Sequence, residues 1–431
     1  MQRLISPWHK WPIALAALTA ALNAYAAPQG GNLSAARELE VVAIAGSRLS
    51  KLMGRDYSEY SVMAVSDGKI APIPFQFDDM NVRNFPYVPG GKLPIKGAEG
   101  KLDANDKLVF MYKDTGAKIT DMVRNGMQGR IVSEIELSDG VTRGFVYIVS
   151  GNPDRSPKRY AHIDKESGLI KTDFWSLQLD PKAPLIWGDF KYKGAGDQTL
   201  LDTIKLRARG RFGFVRATID NSQMPNRLLA VKNGPVRSIA EAEVSMPILG
   251  ITLADATVDL VASEHAIQFP VLASIHGAAS ALSDVELEIS LDFARLEGAK
   301  IRTALGPAEP MIAGRKSDLA KLQKVDVKNN WIAGSSERVE LLTLAEVFTP
   351  NINPKISVLY KDAAQGDEAD KPERFPGSHP QVGYVLSDIP TGRDVDFSVD
   401  LYFSKGLWQG DDPTHSVQAI RRGVGAAVTD L

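Results

Sequence analysis

Apolar and polar residues alternate with a period of two along most of this chain, the pattern of half-buried strands. The cleanest case is Val395–Phe403. There Val395, Phe397, Val399, Leu401 and Phe403 share one face, and Asp396, Ser398, Asp400 and Tyr402 share the other. Further strands are expected at Glu38–Ile44, Tyr60–Val65, Leu108–Tyr112, Ile131–Leu137 and Phe145–Val149. Beyond Gly151 they continue at Thr203–Arg209, Arg237–Val244, Asp255–Ala262, Ile267–Ile275, Val285–Phe293, Ile356–Tyr360 and Val382–Leu386. Asp67-Gly68 and Asp139-Gly140 are hairpin turns by their tolerance of positive φ. Helical signals are few. Ser317 is an N-cap for a short helix to Gln323, and Asp412-Pro413 opens a terminal helix expected to bury Val417, Ile420, Val424 and Val428. Ala364–Arg374 is charged and reads as an exposed loop. The expected fold is therefore all-β. A small N-terminal antiparallel sandwich over 36–150 is followed, after the turn-rich GNPDRSP segment, by a large two-sheet sandwich over 151–431.

Two segments pair a short aromatic strand with a cluster of acids. Pro72–Asn81 (PIPFQFDDMN) sets Ile73, Phe75 and Phe77 against Pro74 and Gln76, then ends in Asp78, Asp79 and Asn81. Pro72 and Pro74 lack the donor a central ladder needs, which points to an edge strand. Leu102–Asp114 (LDANDKLVFMYKD) repeats the theme with Asp103, Asn105 and Asp106. Asp78, Asp79, Asp103, Asn105 and Asp106 are a candidate structural Ca²⁺ site, since Ca²⁺ takes several oxygen ligands from short loops. Leu108 and Asp114 stand where a calcium loop of the EF-hand type has Gly and Glu, so the alternative is a pair of Asx turns closing strands.

The N-terminus changes the compartment. Arg3, His9 and Lys10 precede an apolar run at Ile13–Leu22, and Ala24-Tyr25-Ala26 offers the small residues of a cleavage site. Residues 1–26 read as a signal peptide and 27–35 as a linker. The mature protein is expected in the periplasm or outside the cell, with no transmembrane segment after cleavage. The 431 residues contain no cysteine, which excludes disulfides, thiolate metal sites and a cysteine nucleophile. The net charge of -2 gives no global attraction to nucleic acid, so local charge carries any argument about partners.

The strongest local charge is TIKLRARGR, where Lys205, Arg207, Arg209 and Arg211 recur every second residue and project from one strand face. This row is a candidate groove for an acidic glycan, because Arg grips carboxylate or sulfate bidentately. The alternative is a charge ladder against Glu286, Glu288, Ser290 and Asp292, which alternate in the same way on Val285–Phe293. Tyr160 and His162 are the candidate acid/base groups. Trp187, in WGDF, and Trp331, in NNWIAG, are candidate sugar-stacking platforms near loops. No HExxH, GxSxG, Walker or dinucleotide motif occurs, which leaves zincins, serine hydrolases, NTPases and nicotinamide enzymes without support.

The PFQFDD strand, the NGPVRSIAE segment at Asn233–Glu241 and the later NNWIAG together resemble secreted galactose-mutarotase-like proteins and the β-sandwich domains of polysaccharide lyases. The resemblance implies a supersandwich fold and carbohydrate as ligand class, and activity does not follow from fold. It supplies no catalytic residue. Taken with the basic row and the Tyr160/His162 pair, the leading expectation is a protein that binds or processes a carbohydrate, with an acidic polysaccharide and lyase-like or epimerase-like chemistry as the form those residues would suit. The competing expectation is a non-catalytic periplasmic binding or envelope-assembly protein acting with other envelope proteins.

Overall fold

The computed structural model describes residues 33–294, 299–306, 309–310, 323–325, 329–352, 354–361 and 381–431. The leader, most of the short helix expected before Gln323 and the loop expected over 364–374 lie outside the described residues.

The chain is all-β, built from antiparallel sheets. The N-terminal sandwich faces a three-stranded sheet (Val41–Ala45, Lys107–Met111, Phe75–Asp78, in that order) against a five-stranded one. The latter runs Gly425–Asp430, Arg130–Ser138, Arg143–Ser150, Tyr60–Ser66, Lys69–Pro72. Val42, Ile44, Phe77, Leu108 and Phe110 from the first sheet meet Val62, Ile135, Val146 and Ile148 from the second. The PIPFQFDD segment is split between them. Pro72 ends the hairpin strand that pairs with Met63, and Ile73-Pro74 carries the chain to the other sheet, where Phe75–Asp78 pairs with Lys107–Phe110 on one side only. Prolines suit a crossover, where no ladder donor is required.

Downstream, a nine-stranded sheet packs on a six-stranded one, and a four-stranded sheet over 161–192 closes the same core. The nine strands begin Asn226–Asn233, Ser238–Ile248, Ile251–Ser263, Ala266–Ile275, Arg393–Phe403, Glu340–Val347, Trp331–Ser335. Val395, Phe397, Val399, Leu401 and Phe403 enter this core, as the alternation requires.

The terminal helix spans Thr414–Arg422 and stops at Gly423, whose φ of 61° a side chain would resist. Val417 packs in the cluster with Trp331, Leu342 and Leu407. Val424 and Val428 are not helical: the chain turns into the strand Gly425–Asp430, which pairs with Arg130–Ser138, and both valines pack on the N-terminal core.

Candidate functional site

The two segments that carry the family resemblance hold each other. Gln76 and Asp78 lie on the face of their strand opposite Phe75 and Phe77, and that face meets the turn before Ser238–Ile248. The Gln76 side-chain oxygen accepts from the backbone N–H groups of Val236 and Arg237, each at 3.0 Å. Gln76 Nε2 donates to Asp78 Oδ1 at 2.9 Å. Asp78 is fully buried, with Lys232 Nζ at 2.9 Å and Arg237 Nη2 at 2.7 Å. Burial alone would push this carboxyl up, but Arg237 and Lys232 outweigh it and hold its pKa at about 2. Gly234 is required by close approach, since a Cβ there would lie 2.1 Å from Gln76 Oε1.

Asp79 and Asp106 turn the other way. Tyr57, stacked on Phe77 at 4.5 Å, places its hydroxyl 2.8 Å from each carboxylate. The one hydroxyl proton is thus set between two carboxyl groups. Both carboxyls are pushed up, chiefly by burial. Asp106 also accepts from the N–H groups of Met80 and Asp103, and Asp103 from those of Asn105 and Asp106. The five expected Ca²⁺ ligands are thus divided. Asp78 belongs to an ion pair, Asp79 and Asp106 to a tyrosine bridge, Asp103 to an Asx turn, and Asn105 accepts from Lys96. Among the described residues no three His, Asp or Glu side chains are grouped to hold a metal.

The basic row is a charge ladder. In the antiparallel register Arg207 opposes Glu288 and Arg209 opposes Glu286. Lys205 reaches Asp292 at 2.8 Å, Arg207 reaches Glu288 at 3.1 Å, Arg209 reaches Glu288 at 2.6 Å, and Arg211 reaches Asp284 at 3.0 Å. Lys205, Arg207, Glu288 and Asp292 are buried. Charges withdrawn from water persist only when paired, so these cations are not an open anion groove.

Tyr160 and His162 do not converge. Tyr160 is buried and donates to Asp114 at 2.7 Å, with Lys158 4.2 Å from its ring centroid. His162 is exposed on the short strand Ala161–Ile163. Burial and Asp114 raise the Tyr160 phenol well above its ordinary range, and its hydroxyl is engaged with Asp114. Trp187 and Trp331 are core residues. Trp187 packs edge-on against Phe269 at 5.6 Å, and Trp331 joins Leu39, Leu407 and Trp408.

The polar face of Val395–Phe403 gathers a further set of polar groups, half-buried or buried. Asp400, Gln268, Ser398 and Tyr402 lie on the outer face of the nine-stranded sheet, away from the core that takes Val399 and Leu401. Asp400 accepts from Gln268 Nε2 at 2.9 Å, from Tyr402 at 3.3 Å and from the Ser398 hydroxyl. Glu346 sits on the next strand opposite Ser398 and is exposed, diagonal to Asp400. Burial raises the pKa of Asp400 against those three donors. Burial and then Asp400 raise Glu346, while Arg421 opposes. Arg421 comes from the terminal helix and donates to Asn330 at 2.8 Å. At the other end, a loop of the N-terminal sandwich reaches over: Arg83 pairs with Asp396, and Phe85 meets Phe348 edge-on at 5.4 Å. The face is therefore bordered by both parts of the chain, a common setting for ligand sites. Its signal in the sequence was the polar half of the best strand, D-S-D-Y at alternate positions, although nothing there distinguished it from a solvated face.

No family model matches this sequence, and no curated protein matches it. Among solved structures, an α-mannosidase from Enterococcus faecalis is similar at 11% identity and TM-score 0.49, over 92% of this chain and 45% of that one. An α-N-acetylgalactosaminidase from Bifidobacterium bifidum is similar at 11% identity and TM-score 0.40, over 59% and 38%. A putative aldose 1-epimerase from Escherichia coli is similar at 9% identity and TM-score 0.30, over 57% and 98%. The chain spans less than half the length of the first two. Mutarotase-like proteins are thus among the structures it resembles, as the PFQFDD and NGPVR segments implied.

Proposed function

We propose that this protein binds carbohydrate on the outer face of the nine-stranded sheet, around Asp400. The observation that carries the reading is the set of polar groups brought together there: half-buried Asp400, Gln268 and Tyr402 over the buried Ser398 hydroxyl, with Glu346 beside them. A sugar hydroxyl both donates and accepts. Its recognition calls for carboxylates and an amide side by side, with apolar surface for the C–H face. Leu344, opposite Asp400, and the ring of Tyr402 pack in part on the cluster of Trp331, Leu407 and Val417, and their half-buried edges supply that surface. The ligand is a neutral sugar rather than an acidic one. Asp400 and Glu346 would repel a uronate, and the cations of Lys205–Arg211 are committed to Glu288, Asp292 and Asp284. Should the bound sugar also be processed, the two carboxyls with raised proton affinity are the groups placed to transfer a proton. Export through the leader would put the site in contact with periplasmic or extracellular glycans. The test is calorimetric titration of neutral oligosaccharides into the native chain, Asp400→Asn and Glu346→Gln. Heat of binding in the native chain that both substitutions weaken is the expected result; binding unchanged by either would remove this face from consideration.

A further inference from the structure

We infer that two adjoining hairpin tips of the large sandwich insert into an anionic lipid surface. The first tip joins Leu201–Phe212 to Val215–Asp220 through Gly213-Phe214. Gly213 has φ 56°, the left-handed first position of a tight hairpin turn. That geometry throws Phe214 outward, fully exposed, between exposed Phe212 and Val215. The second tip joins Ser238–Ile248 to Ile251–Ser263 through Leu249-Gly250. Leu249 takes φ 51°, a place where Asn, Asp or Gly is favoured, and its side chain is exposed as well. The tips are neighbours: a Cβ at Gly210 would touch Ile248 at 3.7 Å. Of the twelve exposed large apolar residues among the described ones, four stand on these two turns. Turn chemistry gives no reason for them there, and a concentration of this kind marks an interaction surface.

Charge identifies the occupant. Arg211 and Arg216 face each other directly across the first hairpin, one pair behind Phe212 and Val215. Like charges so placed repel. Asp284 offsets Arg211 at 3.0 Å, while Arg216 is exposed and has no carboxylate partner among the described residues. Aromatic and aliphatic tips with arginines set just behind them match the order of a bilayer surface, acyl boundary first and phosphates next. The tips are convex, and a bilayer accepts convex apolar projections without a shaped groove. This inference does not depend on the carbohydrate reading.

The chain has no cysteine, so a single introduced thiol carries a single label. Full-length Phe214→Cys, Leu249→Cys and, as a control on the N-terminal sandwich, Met122→Cys would each carry an environment-sensitive fluorophore. Each would be mixed with vesicles of phosphatidylethanolamine and phosphatidylglycerol, and with pure phosphatidylcholine. The expected result is a blue-shifted rise at 214 and 249 with the anionic vesicles, a smaller one with phosphatidylcholine, and none at 122. Adding Arg216→Glu to the Leu249→Cys chain should weaken the response about tenfold. No rise at the tips, an equal rise at 122, an undiminished response with Arg216→Glu, or a rise without lipid as protein concentration increases would each overturn the inference. The last outcome would assign the tips to a second copy of the chain.

Discussion

Replacing Asp78 by Asn should cost more than almost any other single change, because it strands two cations at the junction of the sandwiches. Asp78 is 0% exposed and accepts from Lys232, Arg237 and Gln76. Its pKa falls from 3.8 to about 2. At about 1.36 kcal/mol per tenfold change in proton affinity, that difference corresponds to roughly 2 kcal/mol. The sign follows from a depressed folded pKa. The contribution is complete above the unfolded value near 3.8 and is lost as pH falls through about 2. Removing the charge also leaves Lys232 and Arg237 half-buried without their shared acceptor, which brings the expected loss to roughly 3–5 kcal/mol. Denaturant unfolding of the native chain and Asp78→Asn at neutral pH measures the loss, and a series down to pH 2 measures the slope. A loss below about 1 kcal/mol, or an acid slope unchanged by the substitution, would show that this ion pair does not clamp the two parts.

Gly234→Ala should destabilise by about 2 kcal/mol or more, since displacing Gln76 orphans the N–H groups of Val236 and Arg237; urea unfolding reads it. Arg207→Ala should cost roughly 3 kcal/mol by leaving Glu288 buried with fewer partners, and should leave oligosaccharide binding unchanged in titration calorimetry. Asp259 is fully buried opposite Glu241, with no hydrogen-bond partner for either oxygen among the described residues. Burial and then Glu241 hold its pKa well above 3.8. A raised carboxyl pKa stabilises at low pH and loses that contribution as pH rises from the unfolded value toward the folded one. Thermal stability should therefore decline from pH 4 upward, and Asp259→Asn should flatten the decline.

Period-two alternation located most strands, since it reflects a local fact, the facing of each residue toward core or solvent. The ladder between Lys205–Arg211 and Glu286–Asp292 was visible as two complementary rows, and what settled its role was burial, which sequence does not carry. The clamp shows the same limit from the other side. Both PFQFDD and NGPVR stood out, yet their contact joins residues about 160 apart and rests on Gln76 fitting over a glycine. The site was hidden for a related reason. Asp396, Ser398, Asp400 and Tyr402 form an ordinary polar strand face until Gln268 and Glu346 arrive from other strands. The terminal strand was missed because Ala426 and Val428 fit a helix as well as a strand, and the break at Gly423 decides between them.

The proposed sugar site is Asp400 and its neighbours. Titration calorimetry of the native chain and Asp400→Asn against a panel of neutral oligosaccharides tests it most directly. A saturable heat is expected with at least one neutral sugar, weakened about tenfold or more in Asp400→Asn through loss of a carboxyl acceptor. Equal affinity in both chains, or binding confined to uronate-containing sugars, would contradict it.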